Sequence, residues 1–151
     1  MSQQQSLVTH GTAIAIGERG VLLLGPSGSG KSDLALRLID AGALLIADDA
    51  VLLAPCDAPQ TGRINAAPLP GASGRLMVRD IGIIPVPAAP QPLRLSLAIR
   101  LVAEHRSSVL PLAQLDSVEL LPGRHLPVIN LPPFDGTSAR KVVLALERWG
   151  L

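Results

Sequence analysis

Eight consecutive residues, Gly25, Pro26, Ser27, Gly28, Ser29, Gly30, Lys31 and Ser32, have the types and spacing to hold a phosphate chain. They satisfy G-x-x-x-x-G-K-[ST] in full. Gly25, Gly28 and Gly30 permit the backbone conformations that turn successive N–H groups onto an anion. A helix starting at the end of the loop would add its partial positive charge. Lys31 reaches the outer phosphates, and the Ser32 hydroxyl can ligate Mg²⁺. Such a loop implies a nucleoside triphosphate or polyphosphate but leaves open what is done with it. Seventeen residues after Lys31 stand two adjacent acids, Asp48 and Asp49. One carboxylate near Mg²⁺ could hold the metal, directly or through water, while the other accepts a proton from an incoming hydroxyl. Neighbours on an extended chain point to opposite sides, so both serve one site only if the chain turns there. The same pair is also common in solvated turns.

The elements around these residues suit the chemistry. Leu7–Ile16 reads as one strand, Gly17–Gly20 as a turn and Val21–Gly25 as a second, buried strand leading into the loop. Ser32–Ala41 reads as a helix, with Leu34, Leu38 and Ala41 on one face. Asp33 lies in its first turn and is spaced i,i+4 from Arg37. Ala43–Ala47 reads as a buried parallel strand, which places Asp48 and Asp49 beyond its carboxyl end, where open α/β sheets bind ligands. Val51–Ala54 and Ile64–Ala67 read as strands, Pro55–Gln60 as a loop, and Arg75–Ile84 fits either strand or helix. The four prolines of Pro85–Pro92 preclude regular structure there. Leu93–Ala103 alternates like an amphipathic strand. Val118–Leu121, a Pro-Gly-Arg-His turn and Val128–Leu131 suggest paired late strands, and Thr137–Trp149 a closing helix. The expected class is α/β: a P-loop domain with one mixed sheet and few helices.

The chain's 151 residues fit one domain, 1–151. Hydrophobic residues make up 48%, yet there are only one Phe, one Trp and no Tyr, so the core must be aliphatic. A net charge of +1 and this lack of stacking rings argue against a nucleic-acid partner. Cys56 is the only cysteine, which precludes an internal disulfide and a cysteine-based zinc site. The first residues lack a signal-peptide pattern, and no apolar run reaches the ~18–20 residues of a membrane span. The expected setting is cytoplasmic, without membrane association.

The motifs together resemble a known family. His10–Gly11, the GPSGSGKS loop, Leu45–Asp49 (LIADD) and Val78–Ile84 (VRDIGII) follow the order and spacing of bacterial HPr kinase/phosphorylase. Pro122–Ile129 (PGRHLPVI) resembles that family's late Pro-Gly-Arg-Asn segment. The likeness runs from His10 to about Asn130 and covers the catalytic domain only, as in the short form of some proteobacteria. It implies a fold similar to phosphoenolpyruvate carboxykinase. It implies a protein-serine kinase that uses ATP and Mg²⁺ on the phosphocarrier HPr or its nitrogen-type relative. It also implies the reverse phosphorolysis, and a homo-hexamer as in longer members. Carried over by residue, Asp48 is the base and, in reverse, the acid. His10 lies beside it, Lys31 and Ser32 hold phosphate and Mg²⁺, Asp49 supports the metal, and Arg124 handles the transferred phosphate. Two departures stand out: Met77 occupies the place of a metal-binding glutamate, and Asp80 that of a glycine.

Two other readings remain open from the residues. A small-molecule P-loop kinase would need lid arginines, for which Arg75 and Arg79 are candidates. A nucleotide-binding regulator that has lost phosphotransfer would suit Met77 but not the retained His10 and Asp48. Neither His105 nor His125 receives a role.

Overall fold

The computed structural model describes residues 6–56, 62–103 and 115–151. Its strands are β1 (Leu7–His10), β2 (Thr12–Ile16), β3 (Arg19–Leu24), β4 (Leu44–Ala47), β5 (Ala50–Pro55), β6 (Ile64–Pro68), β7 (Arg75–Val78), β8 (Gly82–Pro85), β9 (Leu93–Leu101), β10 (Asp116–Leu121) and β11 (Arg124–Leu131). Two helices, α1 (Lys31–Asp40) and α2 (Ser138–Trp149), complete the set. His105 and most of the Pro55–Gln60 loop lie outside the described residues.

One mixed sheet carries the order β1-β5-β6-β9-β3-β2-β4 and branches at β9, which β11 joins. The β9 pairings with β3 and β11 are parallel, and the other pairings in this sheet are antiparallel. The expected α/β class with a mixed sheet is the observed one. Side chains alternate across it. Val21, Leu23, Leu97 and Ile99 pack against Leu34 and Leu38 of α1 and Val142 and Leu146 of α2. Leu22 and Ala98 point the other way, into a second cluster with Leu53, Ile64, Leu126 and Val128, which Leu95 joins because the β3–β9 register shifts beside it. Aliphatic residues fill both layers, as the composition requires.

The expected strand Leu7–Ile16 is two strands. At Gly11 the chain leaves its pairing with β5 and enters the pairing with β3 and β4. A Cβ at Gly11 would stand 2.9 Å from the Leu23 carbonyl oxygen, so this crossing needs glycine. The expected parallel strand β4 instead pairs antiparallel with β2. Since β3 is also antiparallel to β2, β3 and β4 point the same way with β2 between them. Their carboxyl ends therefore share one edge, as the placement of the acids requires.

β9 is not amphipathic. Leu95, Ser96, Leu97, Ala98 and Ile99 are all buried, because a hydrophobic cluster packs on each face of β9. The undecided segment Arg75–Ile84 is a hairpin, β7–β8, whose Leu76 inserts into the α1 cluster. The proline-rich segment is tied down: Leu45 N donates to the Pro87 carbonyl, and Ala89 N donates to the Leu45 carbonyl. It therefore covers the outer edge of β4, with Ala89 buried and its prolines exposed. Arg124 opens β11, so the late turn is confined to Pro122 and Gly123.

Candidate active site

The cradle emerges from β3 and ends in α1, whose first residue is Lys31. Gly30, at φ 100°, supplies the backbone turn into the helix. Asp33 in the first turn and Arg37 one turn later form an ion pair of 3.3 Å. Lys31 is buried, 7% exposed, and its Nζ donates to the carbonyls of Gly25 (2.5 Å) and Pro26 (2.9 Å). Burial holds its pKa below the ordinary lysine value, against the opposing pull of Asp49 and Asp48. Ser29 Oγ is buried without a hydrogen-bond partner among the described residues, an orphaned polar atom that a phosphate oxygen would suit. The loop fits the phosphate chain its sequence implies.

The two acids diverge at a left-handed residue, Asp49, with φ 68°. Asp48 turns inward. Its Oδ1 accepts hydrogen bonds from Thr12 Oγ1 (2.9 Å) and Ser32 Oγ (3.0 Å), and its Oδ2 accepts one from Met77 N (2.9 Å). Thr12 can reach Asp48 because β2 starts where β3 and β4 end. Asp49 turns outward, its side chain 82% exposed, and its Oδ1 lies 3.4 Å from His10 Nδ1. His10 arrives there because it pairs with Ala50 across β1 and β5. Ser32 therefore meets Asp48, not Asp49, and His10 meets Asp49, not Asp48. The expected neighbour of His10 is Asp48; the acid it pairs with is Asp49. The turn at Asp49 is the reason.

The cradle and acids open into a pocket of about 970 Å³. Its lining includes His10, Lys31, Ser32, Asp48 and Asp49, together with Met77, Arg79 and Asp80 of the β7–β8 hairpin. With Leu76 buried in the core, strand alternation turns Met77, 50% exposed, to the pocket side. A glutamate at this position would face the same space. Arg79 Nη2 lies 3.7 Å from where a Cβ on Gly28 would stand, so its guanidinium overhangs the cradle.

Arg124 does not belong to this constellation. Val128 pairs with Ala98 and Leu131 with Leu101, which puts Arg124 at the opposite end of the sheet, about 20 Å along β11 from the cradle edge. Its Nη1 donates to the Arg63 carbonyl at 2.7 Å. In the sequence a basic residue in a Pro-Gly turn gave no indication of which sheet edge it occupies. Thr12 went unnoticed for the opposite reason, since a threonine opening an apolar strand reads as core. Phe134, which also lines the pocket, had no motif to mark it.

Residues 1–143 match the model of the HPr serine kinase C-terminal domain. The chain belongs to that family. Among its relatives, the HPr kinase/phosphorylase of Clostridium acetobutylicum is 44% identical over 79 residues, 52% of this chain and 25% of that protein. The Neisseria meningitidis serogroup B protein of the same name is 46% identical over 79 residues, 52% of this chain and 24% of that one. The matched stretch thus spans about a quarter of these HPr kinase/phosphorylases. The solved structure of the Hpr(Ser) kinase/phosphatase from Coxiella burnetii superposes with a TM-score of 0.75 at 27% identity, covering 94% of this chain and 88% of that one. The mixed sheet around the cradle is therefore the HPr serine kinase fold. Among the described residues, no helix is long and apolar enough to cross a membrane.

Proposed function

We propose that this site transfers the γ-phosphoryl group of ATP to a serine of an HPr-type phosphocarrier protein and runs the phosphorolytic reverse. One observation carries the reading: an exposed Asp49–His10 pair stands beside a P-loop whose Ser32 is hydrogen-bonded to a different, inward-facing acid. A hydrolase needs only to position water. A protein kinase needs a group at the pocket mouth that can meet a hydroxyl brought from outside.

The different hydrogen-bond partners of the two acids support a division of tasks between them. Asp48, with both oxygens accepting donors, orients Ser32. Ser32 and Asp48 would hold Mg²⁺, which when bound neutralises charge on the phosphates. Lys31, carried by the helix start, would exchange its carbonyl partners Gly25 and Pro26 for phosphate oxygens. Asp49 takes the proton of the serine hydroxyl as its oxygen attacks the γ-phosphorus and ADP leaves. His10 orients the Asp49 carboxylate. In the phosphorolytic direction, an oxygen of inorganic phosphate attacks the phosphorus of phosphoserine, the bond to the serine oxygen breaks, Asp49 passes the proton of the attacking phosphate to that oxygen, and pyrophosphate is released.

A second reading, a small-molecule kinase, is supported by Arg79 overhanging Gly28 as a lid arginine would. Radiolabelled ATP with purified HPr-type proteins separates the two. Label on a protein serine is the expected result. Label on a small acceptor favours the second reading, and nucleotide binding without transfer overturns both.

A further inference from the structure

The chain has one Phe, one Trp and no Tyr. Trp149 packs against the core, so Phe134 is the one Phe, Tyr or Trp ring on the pocket. It is 64% exposed, in a protein short of aromatic surface to bury. The ring lies directly on the cradle. A Cβ at Gly30 would stand 2.9 Å from Phe134 Cζ and 2.9 Å from Pro133 Cβ.

The backbone around the ring is pinned on both sides. Arg37, itself paired with Asp33, donates to the Pro133 carbonyl and, at 3.2 Å, to the Asp135 carbonyl. Ser138 Oγ donates to the Pro132 carbonyl. Phe134 is thus an exposed side chain on a fixed stretch of chain, an arrangement that lowers the ordering cost of binding. Two approaches to the cradle follow. The acids reach it at Ser32, by way of Asp48. The ring reaches it at Gly30, from the β11–α2 connection, and shares the pocket wall with Asp33 and Leu36. A phosphate chain whose transferring end faces Asp49 carries its nucleoside at the other end.

We propose that Phe134 is the platform on which the nucleobase of the bound nucleotide stacks, with the phosphates running along the cradle toward Asp49. The proposal rests on the nucleotide use put forward above. Stacking recognises the flat face of a base and is tolerant of which base it is. Gly30 is required twice, for the helix turn and for the close approach of the ring. Arg37 acts as a positioning residue for the platform.

Calorimetric titration with ATP and with tripolyphosphate, which has no base, tests this on the parent, Phe134→Ala and Phe134→Trp. Phe134→Ala should weaken ATP binding roughly tenfold, the scale of one lost base–aromatic stack, and leave tripolyphosphate unchanged. Phe134→Trp should hold ATP at least as tightly as the parent. Because the side chain is exposed, both variants should melt with the parent. Equal losses for both ligands would mean the ring merely packs on Gly30, and would overturn the proposal. So would unchanged ATP affinity, including the case in which only the KM for the phosphoacceptor protein rises and the ring docks protein instead. A parent that binds tripolyphosphate as tightly as ATP also overturns it while leaving the cradle reading intact. A parent that binds neither removes the nucleotide reading itself.

Discussion

Replacing Asp48 and Asp49 separately by Asn should produce two unlike phenotypes, and the hydrogen bonds say how large each is. Asp48 accepts from three donors: two hydroxyls on Oδ1 and the Met77 N–H on Oδ2. An asparagine offers one acceptor atom. Its oxygen can keep Met77 N–H, but its amide must then donate to Thr12 Oγ1 and Ser32 Oγ. Three charge-assisted bonds become neutral ones, a loss of about 1–3 kcal/mol in total. For a chain of this size that corresponds to a Tm lower by roughly 3–9 °C. The amide also occupies the Ser32 oxygen that would face the metal, so the Mg²⁺ requirement should rise. Asp49 is 82% exposed with His10 as its partner, and its left-handed backbone suits Asn well. Asp49→Asn should leave stability within about 0.5 kcal/mol of the parent. Transfer to the HPr-type protein should nevertheless fall roughly 10²–10⁴-fold, the span of general-base loss, with ATP binding intact. Thermal melts, calorimetric titration of ATP at varied Mg²⁺ and transfer kinetics read the three quantities. If Asp49→Asn transfers phosphate at parental rates while Asp48→Asn loses transfer without a change in melting or Mg²⁺ dependence, the division argued here is wrong.

Three other outcomes follow from the same geometry, and a fourth from the family resemblance. Met77→Glu should lower the Mg²⁺ concentration needed for half-maximal nucleotide binding, because residue 77 faces the pocket beside Asp48; an unchanged Mg²⁺ titration would mean that Asp80 or water already serves there. Gly30→Ala should cost roughly 1–3 kcal/mol in denaturant unfolding, since φ 100° strains any residue with a side chain, and ATP affinity should drop with it. Arg124→Ala should leave ATP affinity untouched, because its partner is the Arg63 carbonyl at the far end of the sheet; a loss in calorimetric titration would refute that placement. We also propose a homo-hexamer, for which light scattering at micromolar concentration should give six times the 15.7 kDa chain mass, and a purely monomeric signal would exclude it.

The loop between β3 and α1 was legible in the sequence because the pattern that marks it is local. Gly25 to Ser32 is one short run, and the physics of wrapping backbone around phosphate dictates residue types at fixed spacing. The aliphatic core and the α/β class were legible for a similar reason, since periodicity and composition are summed along the chain. Tertiary structure decided everything that depends on which edges meet. Whether β4 pairs with β3 or with β2 is not written in five apolar residues, and Gly11 reads as an ordinary strand glycine until the Leu23 carbonyl lies across from it. Neither Arg124, after a Pro-Gly pair, nor Arg79, in a segment that fits strand or helix, carries a sequence mark of its place in the sheet. Long-range strand register sends one to the far end of the sheet, and the burial of Leu76 folds the other over Gly28. The same holds for the acids. Asp48 and Asp49 are indistinguishable as a dipeptide. Thr12, Ser32 and Met77 come from three separate elements to hold one, and His10 from a fourth stands beside the other. Their roles part because a side chain's chemistry is set by the donors around it, and only the folded chain brings those donors together.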